Sequence, residues 1–424
     1  MTNQLFRNAI GDGISFSVLR DPKFKHNRLS VHLIAPLDPK TVTGYAIVPF
    51  LLRKGCKSRP DFTRLNAELD SLYGASLTAG VSKIGANQVL TLSISAIDDR
   101  FALGGEPLVQ RCAELLRDLL TEPLIENGAF PERDLDLERQ YLIDTIEAEI
   151  NDKRSYAVAK CRQAMDEGDP AALRKYGTIE DAKKITAKSA AGSYRELMER
   201  AAVEIVFCGS GDASPASAVF RKAFAGARRQ AVKFAKSRVK PAPEAARETV
   251  ERMEVAQSKL VLGFRTGEKK DAREAAAARL MCALYGGTPS SKLFMNVREK
   301  LSLCYYCAAR FERASGVLMV DSGVEEKNIG KARQEILVQL GEIQNGNFEE
   351  ETLLNTKLQL INSLRTVGDS LSALEDWYLF RIVTGEMYTP VEDAELLSSI
   401  TAEEVIQAAN KTGLDTVYLL TSKQ

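Results

Sequence analysis

GGTPSSKLFMNVREKLSLCYYCAARF (residues 286–311) is the stretch on which the reading of this chain turns. A polar Thr-Pro-Ser-Ser turn leads into a short amphipathic run carrying Arg298. A strand pattern carrying Tyr305 and Tyr306 follows.

Reading outward, this stretch sits inside an ordered succession of elements. Upstream, KLVLGFRTG has a strand pattern and REAAAARLMCALYGG a helical one. Downstream come a strand (GVLMVDSGV), a helix (GKARQEILVQLGEIQ), further helices to about 412, and a closing strand, DTVYLLTS. The first half repeats this order. ISFSVLR and LSVHLIAPL read as strands, with helices at about 43–53 and 61–72, and ASLTAGVSK and QVLTLSISAI read as strands again. A helix over RFALGGEPLVQRCAELLRDLL, a long helical region from about 130, and the strand VEIVFCG complete it. LDSLYGASLTAG (69–80) echoes KLSLCYYCAARF (300–311), which points to a tandem duplication.

KSRVKPAPEAAR (236–247) divides the halves, its two prolines barring a helix and favouring an extended linker. The expectation is an α+β protein of two homologous domains, each a mainly antiparallel sheet covered by helices. The first spans 1–235, the linker 236–247 and the second 248–424.

Composition narrows the function. The 424 residues are 45% hydrophobic and 27% charged, as in ordinary globular proteins, and 57 basic residues balance 57 acidic ones. No global field draws the chain to nucleic acid or to an anionic membrane. The amino terminus shows no signal peptide, and no apolar run approaches the ~18 residues of a membrane span. Seven cysteines at irregular spacing suggest reduced thiols, so the expected location is cytoplasmic.

Several motifs carry less than they promise. The two histidines, His26 and His32, fit no metal-ligand spacing and read as surface or strand-face residues. Cys304-Tyr-Tyr-Cys307 matches C-x-x-C, but residues three apart on a regular strand face opposite ways, so packed thiols are expected. GSGD (209–212) reads as a strand-to-helix turn, and the basic run 227–240 as a solvated linker answered by the glutamates after it. Glu138, Glu147 and Glu149 lie in a helix whose leucines and isoleucines claim the apolar stripe, leaving most of its acids on the wet face. No serine or cysteine stands beside a plausible base, and no G-x-S-x-G occurs.

GGTPSSKLFMNVREKLSLCYY (286–306) resembles the second-domain signature of the insulinase/pitrilysin-type zinc peptidases, the group that includes mitochondrial processing peptidase. The resemblance extends over nearly the whole chain in element order and central linker. It implies that Arg298 and Tyr305, seven positions apart, are the pair that holds the substrate carbonyl. In the first domain the resemblance calls for H-x-x-E-H, two zinc ligands and a general base. TGYAIVPFLLRKG (43–55) stands there instead, with Ile47, Phe50 and Leu51 at the three positions. None ligates zinc or accepts a proton. Pro49 interrupts the expected helix, at a cost of about 3 kcal/mol inside a regular one.

The resemblance therefore implies a zinc-less, substrate-binding subunit of a two-chain peptidase. It holds no cofactor of its own; a zinc-bearing homologous subunit is its partner, and a peptide its substrate. A homodimer of the isolated chain stays open, and ASLTAGVSK offers a sheet edge to an extended peptide. The alternative is a peptide-binding or assembly protein of the same fold with no role in proteolysis. LDSLYGA and NDKRSYAVAK also resemble zinc-less insulinase-like proteins of Gram-positive bacteria associated with aminopentanol modification of elongation factor P.

Overall fold

The strand around His32 is buried on both faces, each against a different set of partners. In the computed structural model, which describes residues 4–267 and 271–423, eleven strands form two sheets. The first sheet holds β1 (Leu5–Gly11), β2 (Ile14–Arg20), β3 (His26–Pro36), β4 (Ser76–Ile84), β5 (Asn87–Ile97) and β6 (Ala202–Gly209). Their order is β1-β2-β6-β3-β5-β4. The second holds β7 (Arg247–Met253), β8 (Ser258–Arg265), β9 (Cys304–Glu312), β10 (Val317–Val324) and β11 (Gly413–Ser422). Their order is β7-β11-β8-β10-β9. Each sheet is antiparallel apart from one parallel pair, β2 with β6 and β7 with β11.

With β1 set aside, the two orders superimpose strand for strand. β4 corresponds to β9, β5 to β10, β3 to β8, β6 to β11 and β2 to β7. The duplicated architecture of two helix-covered sheets is thus present, and the sequence echo falls at the entrances to the two matching edge strands.

The chain divides into two compact units, and neither is one contiguous half. One unit comprises the described residues up to Glu147 with Leu173–Lys236 and Gly368–Met387; the other comprises Ala148–Ala172, Ser237–Val367 and the described residues from Tyr388 on. The simple division at 236–247 is corrected accordingly: each unit takes one helix from the other half of the sequence.

In the first unit, Leu29, Val31 and Leu33 of β3 and Leu90, Leu92 and Ile94 of β5 point into the main core. The helix Leu108–Thr121 is buried along this core through Leu108, Leu115, Leu116 and Leu119. The opposite face presents Arg28, Ser30 and His32, and the borrowed helix Leu371–Thr384 packs there, Leu379 and Val383 closing on Ile34 and Val89. In the second unit the borrowed helix is Lys153–Met165. Its Tyr156, Ala157, Cys161 and Met165 pack on Val261, Met319, Tyr418 and Leu420. Gly263 permits this approach, since a Cβ there would lie 2.2 Å from Met165 Sδ.

Local chemistry explains the departures from the sequence reading. The helix expected from 100 begins only at Leu108, after Gly104, Gly105 (φ +71°) and Pro107. The linker is longer, irregular from 227 to 246, and its basic run is held rather than solvated. Arg229 donates to the carbonyls of Met198 (2.7 Å) and Asp12 (3.0 Å), the Val232 amide donates to the Arg200 carbonyl (2.8 Å), and Phe234 joins the cluster around Ile34. β1 and β7, unexpected from sequence, are mostly exposed edge strands.

Candidate functional site

Where the resemblance calls for zinc chemistry, the structure shows hydrophobic packing. The helix breaks at Ile47 into Val42–Ala46 and Val48–Leu52, which places Pro49 in the first turn of the second piece, where its missing amide costs nothing. Ile47, Phe50 and Leu51 are buried, at 0%, 6% and 2% exposure. The Phe50 ring meets Tyr141 of the helix Glu132–Asn151 edge-on, with centroids 5.7 Å apart. Glu138 on that helix is not on the wet face expected of it. It is buried and lies 2.5 Å from Lys54 Nζ. Hydrocarbon and an aromatic ring cannot coordinate a metal ion, so these residues do not fit zinc. Among the described residues no three of His, Cys, Asp or Glu gather in a way that could hold a metal ion.

The histidines behave differently from each other. His26 is exposed at the start of β3, whereas His32 is buried, its Nε2 2.7 Å from Glu375 Oε1 and its Nδ1 2.9 Å from Thr91 Oγ1. GSGD forms the turn between β6 and the helix Ser214–Phe224, with the Gly211 amide donating to Asn27 Oδ1 at 3.0 Å.

Arg298 and Tyr305 are brought together. Leu293–Lys300 is a wide π-type helical segment, a conformation that recurs at functional sites. Leu293 and Val297 anchor it in the core and leave Arg298 about 40% exposed, its guanidinium 4.6 Å from the Phe294 ring centroid. Arg298 Nε lies 3.5 Å from Glu299 Oε1. Ser302 then turns the chain through a left-handed conformation (φ +50°), and β9 begins. Tyr305 is 64% exposed, unusual for a strand aromatic, and its hydroxyl donates to Glu325 Oε1 at 3.3 Å. Lys327 holds the other oxygen of Glu325 at 2.9 Å and draws that carboxyl below its usual range.

Both residues line one open pocket of about 420 Å³, with Glu299, Ser302, Leu303, Cys304, Glu325 and Asn328. Its rim carries a cation, a phenol and two carboxylates. Such a rim can present donors to a carbonyl and an acceptor to an amide.

The thiols of this strand overturn the alternation argument. Tyr306 pairs with Gly323, but Cys304 pairs with Val324, so one extra residue bulges from β9. The bulge brings Cys304 to the same face as Cys307, whose strand partner is Ser322. Both cysteines are buried, and the Ser322 hydroxyl opposite Cys307 donates to the Tyr306 carbonyl at 2.9 Å. The slip in pairing is set by the partner strand, so C-x-x-C alone could not reveal it.

Comparison with known proteins agrees with this architecture. The family profile described as "Peptidase M16 inactive domain" matches residues 184–360. A "Probable inactive metalloprotease YmfF" of Bacillus subtilis is 31% identical over 413 residues, covering 96% of each chain. The crystal structure of a conserved protein from Enterococcus faecalis superimposes with a TM-score of 0.92 at 26% identity, over 99% of both chains. A peptidase M16 inactive domain from Pseudomonas fluorescens shares the fold, with a TM-score of 0.78 at 16% identity over 99% of this chain and 98% of that one. Sequence relatedness along nearly the entire chain, together with the duplicated sheets, places this protein in the M16 peptidase family, as an inactive metalloprotease homologue.

Proposed function

We propose that this chain is the non-catalytic, substrate-binding subunit of a two-chain zinc peptidase, supplying Arg298 and Tyr305 to the site of a zinc-bearing homologue. The observation that carries the reading is their convergence on one open pocket while the metal positions are filled by Ile47, Phe50 and Leu51. Donors of this kind stabilise a peptide oxygen as charge develops on it.

The edge strand β4 supports the same role. Among the described residues β4 is an edge strand paired with β5, and an edge strand is the kind of element to which an extended peptide can add. That edge equally serves the second reading, a peptide-binding or assembly protein with no part in proteolysis. Affinity purification of the full chain from its own cells, with bound proteins identified by mass spectrometry, separates the two. A stoichiometric homologue carrying H-x-x-E-H and zinc is expected. Recovery with an unrelated client, or with no such homologue, overturns the peptidase-subunit reading.

A further inference from the structure

Cys304 lies on the wall of the pocket lined by Arg298 and Tyr305, and Cys307 shares its face of the strand. The bulge fixes this arrangement. Cys304 and Cys307 stand opposite Val324 and Ser322, which are two residues apart, so the two cysteines are spaced like next-nearest neighbours on one strand face. That spacing corresponds to Cα atoms about 7 Å apart, against about 10 Å for three residues of unbroken strand. It lies just beyond the ~4.4–6.8 Å over which a disulfide usually forms, so the backbone at the bulge must draw the two Cβ atoms together for one to close. The other five cysteines are buried at scattered positions, without a neighbouring thiol of this kind on their strand or helix.

We propose that Cys304 and Cys307 are a modification site, a vicinal dithiol that peroxide oxidises to an intramolecular disulfide beneath the Arg298–Tyr305 pocket. The inference rests on the bulge and the pocket wall, and stands whether or not the chain serves a peptidase.

The roles of the two sulfurs differ. The Cys307 thiol on the same strand face, aided by Ser322 and by the charge of Arg298 and opposed by burial, pulls Cys304 down to about 7. Cys307 is pushed well above the ordinary thiol value by the Cys304 thiol, by burial and by the Cys304 charge. Cys304 is therefore the nucleophile and Cys307 the resolving thiol. The Cys304 thiolate attacks one oxygen of hydrogen peroxide, the O–O bond breaks, and hydroxide leaves and is protonated to water, giving a sulfenic acid. The Cys307 sulfur then attacks the Cys304 sulfur, the S–O bond breaks, and the hydroxide leaves with the Cys307 proton as a second water. Two thiols lose two electrons, and one peroxide is reduced to two waters. Tyr305 lies between the two sulfurs in sequence, so closing the bridge reshapes the turn of backbone that presents its phenol.

The test uses the full-length protein. After brief exposure to hydrogen peroxide at pH 7, free thiols are alkylated with N-ethylmaleimide and the chain is digested with trypsin. Cleavage after Lys300 and Arg310 leaves both cysteines in one peptide, LSLCYYCAAR. The expected product is this peptide lighter by two hydrogens, unalkylated, and returned to the dithiol by dithiothreitol, while the other five cysteines stay reduced. In Cys307→Ser the disulfide is absent and dimedone captures a sulfenic acid on Cys304; in Cys304→Ser neither species forms. Without oxidant, Cys304 of the wild-type protein alkylates at least about tenfold faster than any other cysteine at pH 7, as thiolate character dictates. The proposal is overturned if the wild-type peptide stays fully alkylatable after peroxide, if Cys304 stops at the sulfinic acid without bridging, or if another cysteine oxidises first.

Discussion

His32 Nε2 and Glu375 Oε1 are 2.7 Å apart although 343 positions separate them in the chain. Glu375 belongs to the borrowed helix of the first unit and is 2% exposed. It pairs at once with His32 and with Arg28 of the same strand. The second unit repeats the device. Arg154 of its borrowed helix bonds Asp321 of β10, and Asp166 at the end of that helix lies 2.9 Å from Arg265, which is fully buried and also 2.8 Å from Asp415. In both units a helix from the distant half of the sequence is fixed by buried charge as well as by apolar packing. Buried pairs contribute less to net stability than to register, but breaking one is costly because its partner is left charged in a poor solvent.

Glu375→Ala is accordingly expected to destabilise the protein by about 3–5 kcal/mol, since Arg28 and His32 lose their shared acceptor. Urea denaturation followed by circular dichroism measures it. A loss below about 1 kcal/mol would mean that the borrowed helix is held by Leu379 and Val383 alone.

The same group sets an acid limb. Burial works to raise the Glu375 carboxyl, but the hydrogen bond and charge of His32 and the charge of Arg28 outweigh it and leave it lowered. A lowered folded value means the unfolded chain binds the proton more readily, so this stabilisation is complete above about 4.3 and is lost as pH falls through the folded value. Asp376 next to it is raised by burial and by the Glu375 charge, and acts in the opposite sense. Thermal unfolding from pH 7 down to 3 should therefore show a shallower acid decline in Glu375→Gln than in the wild type. Parallel curves would remove Glu375 from the acid response.

Grafting the metal motif should fail as a metal site and succeed as a destabilisation. Phe50 is 6% exposed and packs on Tyr141, so Phe50→Ala alone is expected to cost about 3–5 kcal/mol. The triple change Ile47→His, Phe50→Glu, Leu51→His puts three polar groups into the same core and leaves Pro49 and the helix break in place. Its expected outcome is a lower midpoint in urea and no zinc retained after gel filtration, measured by atomic absorption. A stable variant carrying one zinc per chain would show that the filled site had kept its metal-binding geometry.

How much of this was legible beforehand follows from which interactions are local. Strands buried along most of their length, such as Ile14–Arg20 and His26–Pro36, advertise themselves by apolar and β-branched composition. Leu5–Gly11 and Arg247–Met253 do not. Solvent covers most of both, so LFRNAIG and RETVERM carry no apolar stripe, and their pairing is decided by a neighbouring strand. The helices 153–165 and 371–384 could be recognised as helices, but nothing local states that each belongs with the other half of the chain. Filling of the metal positions was visible at Ile47, Phe50 and Leu51, because side-chain chemistry alone excludes ligation. The shared face of Cys304 and Cys307 was not, because a bulge is a property of two strands and the sequence of one reads as unbroken alternation.

Arg298 and Tyr305 give the sharpest functional prediction because both are surface residues whose loss leaves the core untouched. Arg298 is about 40% exposed and Tyr305 64%, and neither anchors the segment that Leu293 and Val297 hold. Arg298→Ala and Tyr305→Phe should leave the urea midpoint close to that of the wild type. In a reconstituted pair with the proposed zinc-bearing homologue, each should lower turnover of a peptide by about a hundredfold, the usual cost of one donor to a developing oxyanion. Arg298→Lys should recover part of the loss, since an ammonium keeps the charge but not the planar fork. Because Tyr305 donates to Glu325 in the free chain, Glu325→Gln should change turnover far less than Tyr305→Phe if the phenol turns to substrate in the complex. Unchanged turnover in both Arg298→Ala and Tyr305→Phe, with the pair intact by gel filtration, would show that the pocket does not serve the partner's chemistry.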